Sequence, residues 1–357
     1  MVLAEARERV RLKKILVTGG SGFFGSILKN RLLSEGWSVV NLDLVADPDH
    51  HEQLTSIRGD IRDPARVDQL FAAERFDAVM HCAAMLAHEK IDDKDLWTSN
   101  VDGTRILAEA ARRHGIKSFV FTSTNCLWAH NAGRPVREDD PPAPVELYGR
   151  SKLAAEQVLK EFQDSLAVIV IRCPTIIDEG RLGLLAILFE FIDEGRKVWV
   201  VGDGSNRYQF IYAQDLATAC VLAMDYGKSG LFHVGADNVP TLREVYQAVI
   251  DAAGTGARIA QLPRRPTIAA MKLAHTLGVS PLGPYHYRMI AEDFVFDTTR
   301  IRDELGWRPT VTNQQMMLKA YQYYAARRKE IDARAGEVSA HSRPAAMGVI
   351  RLLKWLS

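Results

Sequence analysis

Apolar residues occur as short unbroken runs in the first half of the chain, with helix-spaced stripes between them. Residues 15–18, 38–42, 76–82 and 118–123 are rich in Val, Ile and Phe and too short for helices, which predicts buried strands. Residues 25–35, 64–73 and 95–114 repeat their apolar positions at helical spacing, and 166–172 adds another strand. Strand–helix alternation of this kind predicts an α/β fold with a parallel sheet covered on both faces. Beyond residue 173 the pattern loosens. Helices fit 183–195, 214–224, 242–253 and 315–329, while 197–201 runs into the glycine turn at Gly202 and Gly204, so a smaller mixed C-terminal lobe is expected. Residues 335–345 are small and polar and suit a linker. The run from Met347 to Leu356 is short, apolar and basic, a helix candidate for a membrane surface or for a face of its own domain.

Composition narrows the class. The chain has 357 residues, 47% of them apolar, and a net charge of +1, so bulk charge does not point to nucleic acid. Four scattered cysteines form no CxxC pair and no Cys/His cluster, which argues against a disulfide framework and against a metal site. The first residues lack the apolar core of a signal peptide, and no stretch approaches the ~20 apolar residues of a membrane span. A cytoplasmic enzyme is expected.

The chemistry begins at Lys14-Ile-Leu-Val-Thr-Gly-Gly-Ser-Gly-Phe-Phe-Gly25. Glycines at 19, 22 and 25 follow a strand and open a helix, the arrangement that seats a pyrophosphate on helix N–H groups. Asp43 ends the next strand 18 residues after Gly25, where a carboxylate bonds both ribose hydroxyls and repels a 2′-phosphate. The expected cofactor is NAD, held in a Rossmann-type doubly wound sheet. Tyr148 and Lys152 lie one helical turn apart. An ammonium beside a phenol stabilises its phenolate, so Tyr148 can take an alcohol proton.

In series these segments resemble the extended short-chain dehydrogenase/reductases of the epimerase/dehydratase group, over residues 14 to about 325. The matching motifs are Thr18–Gly25, the Asp60-Ile61 pair, His81-Cys-Ala-Ala84, Asn100, Tyr148-Gly-Arg-Ser-Lys152 and Leu305-Gly-Trp-Arg-Pro309. The resemblance implies cofactor contacts from Gly19, Ser21, Gly22, Phe23, Phe24, Gly25, Asp43, Asp60, Ile61, Cys82, Ala83, Ala84, Asn100, Ser123, Tyr148, Lys152 and Pro174. Thr124 takes the place of the Ser/Thr that bonds the reacting oxygen, completing a catalytic set with Tyr148 and Lys152. Asn125 and Cys126 stand where dehydratases carry Asp-Glu, which argues against elimination of water. Four parts are expected: an extension at 1–13, a cofactor domain at 14–173 with segments returning near 205–235, a substrate lobe at 174–330, and a tail at 331–357. A homodimer through the helices bearing Asn100 and Tyr148 is also implied.

Two substrates compete. A nucleotide-sugar epimerase is suggested by the YGxSK and LGWxP segments and by the Gly202–Phe210 loop, which resembles the diphosphate-binding loop of sugar enzymes. Thr124, Asn125, Thr175, Arg207 and Arg288 are its candidate substrate contacts. A net dehydrogenase of the 3β-hydroxysteroid or carboxysterol type is suggested by three departures. Arg207 lies one residue before the usual diphosphate arginine, whose place Tyr208 takes; Pro174-Thr175 follows Arg172-Cys173 where sugar epimerases commonly carry Asn; and Tyr285–Asp297, in the aromatic and apolar stretch 281–296, replaces the family's arginine-rich segment, leaving Arg288 as the candidate second phosphate clamp. Simple core packing also accounts for that last stretch. A dinucleotide-binding sensor without turnover is the remaining alternative, disfavoured by the complete Thr124, Tyr148 and Lys152 set.

Overall fold

A computed structural model describes residues 13–86, 92–128, 133–277 and 284–333. The tail at 347–357 and its membrane expectation lie outside these residues. So do the N-terminal extension before residue 13 and the Arg288 side chain.

The chain opens β1 (Lys14–Thr18), α1 (Phe23–Ser34), β2 (Ser38–Asp43), β3 (Leu54–Arg58), α2 (Pro64–Ala73) and β4 (Ala78–His81). Next come α3 (Asp93–Trp97) and α4 (Gly103–Arg113), joined through a π-turn at Thr98–Asp102, then β5 (Ser118–Thr124), α5 (Leu147–Lys160) and β6 (Ala167–Cys173). The second half contains β7 (Thr175–Ile177), α6 (Leu184–Asp193), β8 (Lys197–Val201), β9 (Phe210–Tyr212), α7 (Ala213–Met224), β10 (Gly230–His233), α8 (Leu242–Ala253) and β11 (Arg258–Leu262). It ends with α9 (Arg264–Thr276), α10 (Pro284–Ala291), α11 (Thr299–Leu305) and α12 (Asn313–Ala333).

Seven strands form one parallel sheet in the order β10-β6-β5-β4-β1-β2-β3. The order reverses between β1 and β4, and in such sheets the crevice beyond the strand ends at that point receives the ligand. Side chains alternate across the sheet. Ile15, Val17, Val120 and Ile171 pack with α1 and α7, whereas Leu16, Phe119, Phe121 and Val170 pack with α2, α4 and α5. Continuous apolar runs in these strands follow from that burial on both faces. The α/β expectation therefore holds, and a third cluster around Phe189, Tyr208, Phe210, Val245 and Tyr324 forms the smaller lobe. The lobe holds two paired strands, β11 with β8 and β7 with β9. Among the described residues no helix is long and apolar enough to cross a membrane.

Candidate active site

The glycine loop is as compact as its backbone permits. Gly19 turns at φ +75°, and a Cβ there would lie 2.7 Å from the Ala83 backbone. A Cβ on Gly25 would overlap the Gly19 carbonyl oxygen, so α1 meets the strand-end turn backbone to backbone. Phe23 and Phe24 are buried at the helix start, and the N-cap, Gly22, brings no side chain to the first turn. Asp43 accepts from the backbone N–H of Ser21 at 3.0 Å and of Val45 at 3.0 Å, placing its carboxylate at the rim of the loop. Asn41, which the sequence reading passed over, accepts from Gly20 N–H at 2.9 Å and donates to the Ser21 hydroxyl at 3.1 Å. A polar residue inside the apolar run Val39–Asp43 was the available signal. Backbone donors and a carboxylate in this order fit an adenine dinucleotide lacking a 2′-phosphate.

Cys82, Ala83 and Ala84 follow β4 along the loop. His81 anchors them: its Nδ1 lies 2.7 Å from the Thr18 hydroxyl and its Nε2 2.9 Å from that of Thr104. Burial first, and the nearby Lys152 charge second, push His81 down to about 3, so it remains neutral and structural. Asp60 accepts from Arg62 with both carboxylate oxygens, and Arg62 continues to Asp95 and Thr98 on the π-turn. The Asp60 side chain thus braces the α3–α4 helix, while Ile61 packs under Gly103.

At the other end of the crevice, Tyr148 sits in the first turn of α5, half-buried. A Cβ on the next residue, Gly149, would strike the Cys126 carbonyl, so α5 starts directly against the 3₁₀ turn at Asn125–Leu127. Thr124 precedes that turn, is 7% exposed, and caps it by accepting from the Cys126 N–H at 3.1 Å. Lys152, one turn after Tyr148, is 2% exposed with its Nζ 3.8 Å from the centre of the Phe121 ring. Burial brings its pKa down to about 8, against the opposing pull of Cys173, Glu156 and Cys82.

A bracing network holds this end. Asn100, in the π-turn, accepts from Met85 N–H at 2.7 Å and donates to Met85 O at 2.9 Å and to the Ser151 hydroxyl at 3.0 Å. It ties the segment after β4 to α5, and π-turns concentrate where such side chains must be re-aimed. Ser123 donates to Glu156 at 2.5 Å, and Glu156 is paired with Arg172 at 2.6 Å, both side chains largely out of solvent. Ser123 therefore faces this ion pair. Glu156 was missed, although Tyr148, Lys152 and Glu156 recur every fourth residue, a legible stripe. Pro174 is buried between β6 and β7.

On the substrate side the structure separates the candidates. Asn125 donates to the Tyr208 hydroxyl at 2.6 Å, beside Thr124. Arg207 and Tyr208 are consecutive residues of an extended segment, bridged to Thr241 and to Phe294, and face opposite ways. The exposed Arg207 guanidinium donates to Val239 O at 2.6 Å, and its backbone N–H to Asp293. Tyr208 is brought to the turn that follows β5, and the Arg207 guanidinium is turned to Val239. Thr175 lies on the adjoining wall, its hydroxyl 3.9 Å from the Met289 sulfur.

Comparison with known proteins agrees with this layout. The model of the NAD dependent epimerase/dehydratase family matches residues 15–235. Protein y4nG of Sinorhizobium fredii is 38% identical over 96% of this chain and 86% of its own length. A UDP-glucose 4-epimerase of Mycolicibacterium smegmatis is 29% identical over 87% of this chain and 98% of its own. The solved UDP-glucose 4-epimerase of Thermotoga maritima shares the fold, with a TM-score of 0.73 and 23% identity over 89% of this chain and 99% of that one. With its glycine loop, Asp43, and Tyr148 and Lys152 on one helix, the chain belongs to the NAD-dependent epimerase/dehydratase family of enzymes.

Proposed function

We propose that the chain is a nucleotide-sugar epimerase, oxidising a hydroxyl-bearing sugar carbon transiently and inverting it on return of the hydride. The observation that carries this reading is the approach of α5, whose first turn bears Tyr148, to the turn after Thr124, with Gly149 against the Cys126 carbonyl. Its end-to-end likeness to a UDP-glucose 4-epimerase supports the same class of substrate.

The Gly19–Gly25 loop, Asp43, the segment Cys82–Ala84 and Lys152 would hold NAD, which would supply the hydride acceptor. Tyr148 takes the proton from the substrate hydroxyl. The Lys152 ammonium lowers the cost of the phenolate, because opposite charges nearby favour the ionised form. The Thr124 hydroxyl orients the reacting oxygen. Ser151 and Asn100 hold the first turn of α5 against the segment after β4, so that Tyr148 and the cofactor wall stay in register. A homodimer through the helices bearing Asn100 and Tyr148 belongs to the same proposal, checked by light scattering.

A second reading, a net NAD-dependent dehydrogenase of the 3β-hydroxysteroid or carboxysterol type, is favoured by one observation. Tyr208, not an arginine, faces Asn125, and Arg207 points away. To separate the two, freshly purified protein is denatured and the released dinucleotide quantified. Near-stoichiometric NAD or NADH, followed by interconversion of UDP-sugars in proton NMR, supports the epimerase. Empty protein that reduces added NAD with apolar secondary alcohols and leaves UDP-sugars untouched would sink it.

A further inference from the structure

A feature of α9 lies outside this chemistry. None of its residues is buried, and Leu273 and Leu277 are 61% and 65% exposed, more than any other large apolar side chain among the described residues. At 100° per residue, Pro266, Ala269, Ala270, Leu273 and Leu277 form one stripe about 100° wide, all exposed. Arg265 and Lys272 run along one edge of it. The opposite side, with Ile268, Met271 and Ala274, is half-buried, and His275 meets the Tyr287 ring of α10 edge-on at 6.2 Å between centroids. The helix is therefore seated by one face and offers the other outward.

Charge along this stretch of the chain is one-sided. From Ala252 to Ala291 the sequence contains Arg258, Arg264, Arg265, Lys272 and Arg288 but no Asp or Glu, in a chain whose totals are 45 cations and 44 acids. Exposed leucines flanked by cations match the two layers of an anionic bilayer surface, acyl boundary and phosphate.

We propose that α9 docks the small lobe onto an anionic phospholipid surface. Pairing with a second copy of α9 through this stripe would bring the flanking Arg265 and Lys272 of each helix together with no acid on either. The tail from Val338 to Ser357 is a poor cover for the same reason, having Arg343, Arg351 and Lys354 and no acid. It suits the same lipid, and two weak anchors on one chain add their binding strengths. Docking would bring the bilayer to the lobe that contains Thr175, since α9 rests on α10 and Met289 of α10 receives the Thr175 hydroxyl.

The test is sedimentation of the full chain with vesicles of phosphatidylcholine alone and of phosphatidylcholine with phosphatidylglycerol, at low and high salt. Binding is expected only with the anionic vesicles, weakening as salt screens it. Replacing Arg265 and Lys272 by Gln should weaken it about twenty-five-fold, near fivefold per cation. Leu273→Asp with Leu277→Asp should abolish it, with the NAD content of the protein and its melting temperature unchanged. Three results overturn the proposal: no sedimentation with either vesicle; sedimentation that survives the α9 substitutions but is lost on removing residues 338–357; or a doubled mass in light scattering that Leu277→Asp collapses, which assigns the stripe to a second copy.

Discussion

Lys152 illustrates how the family's chemistry strains its fold. Its side chain is 2% exposed, and burial lowers its pKa from 10.5 to about 8. At about 1.4 kcal/mol for each tenfold change in proton affinity, holding the ammonium inside costs about 3 kcal/mol at neutral pH. The Phe121 ring beneath it returns about 1 kcal/mol. Lys152→Met keeps the length and volume of the side chain and removes the charge, so the cofactor-free variant should be more stable by about 2 kcal/mol. With an unfolding entropy near ~2.1 cal/mol/K per residue over 357 residues, that raises Tm by about 3 °C. The pH dependence has a definite sign. Below about pH 8 the lysine is charged both folded and unfolded, so the full penalty applies. Between about 8 and 10.5 the unfolded chain binds the extra proton, so wild-type stability rises with pH and the variant's advantage shrinks. Scanning calorimetry of both proteins at pH 7 and pH 9.5, with turnover lost in the variant, checks this. An unchanged or lower Tm for Lys152→Met at pH 7 would refute the reasoning, because it would mean that the buried ammonium is already compensated.

Gly25→Ala places a methyl group on the Gly19 carbonyl and 2.7 Å from its carbon. Backbone cannot yield as a side chain can, so NAD affinity measured by calorimetry should fall at least ~tenfold with ~2 kcal/mol of stability. Asn100→Ala strips hydrogen bonds from Met85 and Ser151 together. It should cost about 2–4 kcal/mol in denaturant unfolding and lower kcat, because groups left unsatisfied cost more than a hydrogen bond is worth. Tyr148→Phe should retain bound NAD yet lose turnover, and a Tyr148→Phe enzyme with wild-type kcat would remove Tyr148 from the mechanism. Arg207→Ala should change substrate KM by less than about threefold, since its guanidinium ends on Val239 O. A large rise in KM would instead return Arg207 to the substrate site.

The sequence by itself determined the cofactor half of this protein. Its inner strands β1, β2, β4, β5 and β6 are short, largely apolar and buried on both faces, so local pattern and final environment agree. The glycine loop was equally legible, because Gly19 and Gly25 answer to backbone constraints a few residues away. Tyr148, Lys152 and Thr124 were legible as a motif, and Glu156 lay in the same helical stripe. Tertiary structure decided what depends on partners distant in sequence. Asn100 meets Ser151 from 51 residues away, and Asn125 meets Tyr208 from 83. Which of Arg207 and Tyr208 faces the turn after β5 was fixed by bridges to Thr241 and Phe294, which no periodicity of their own segment encodes. The short strands β3, β7, β9, β10 and β11 escaped for the same reason. Strands of three to five residues with mixed burial have too little pattern of their own, and are strands only because a neighbour supplies the hydrogen bonds.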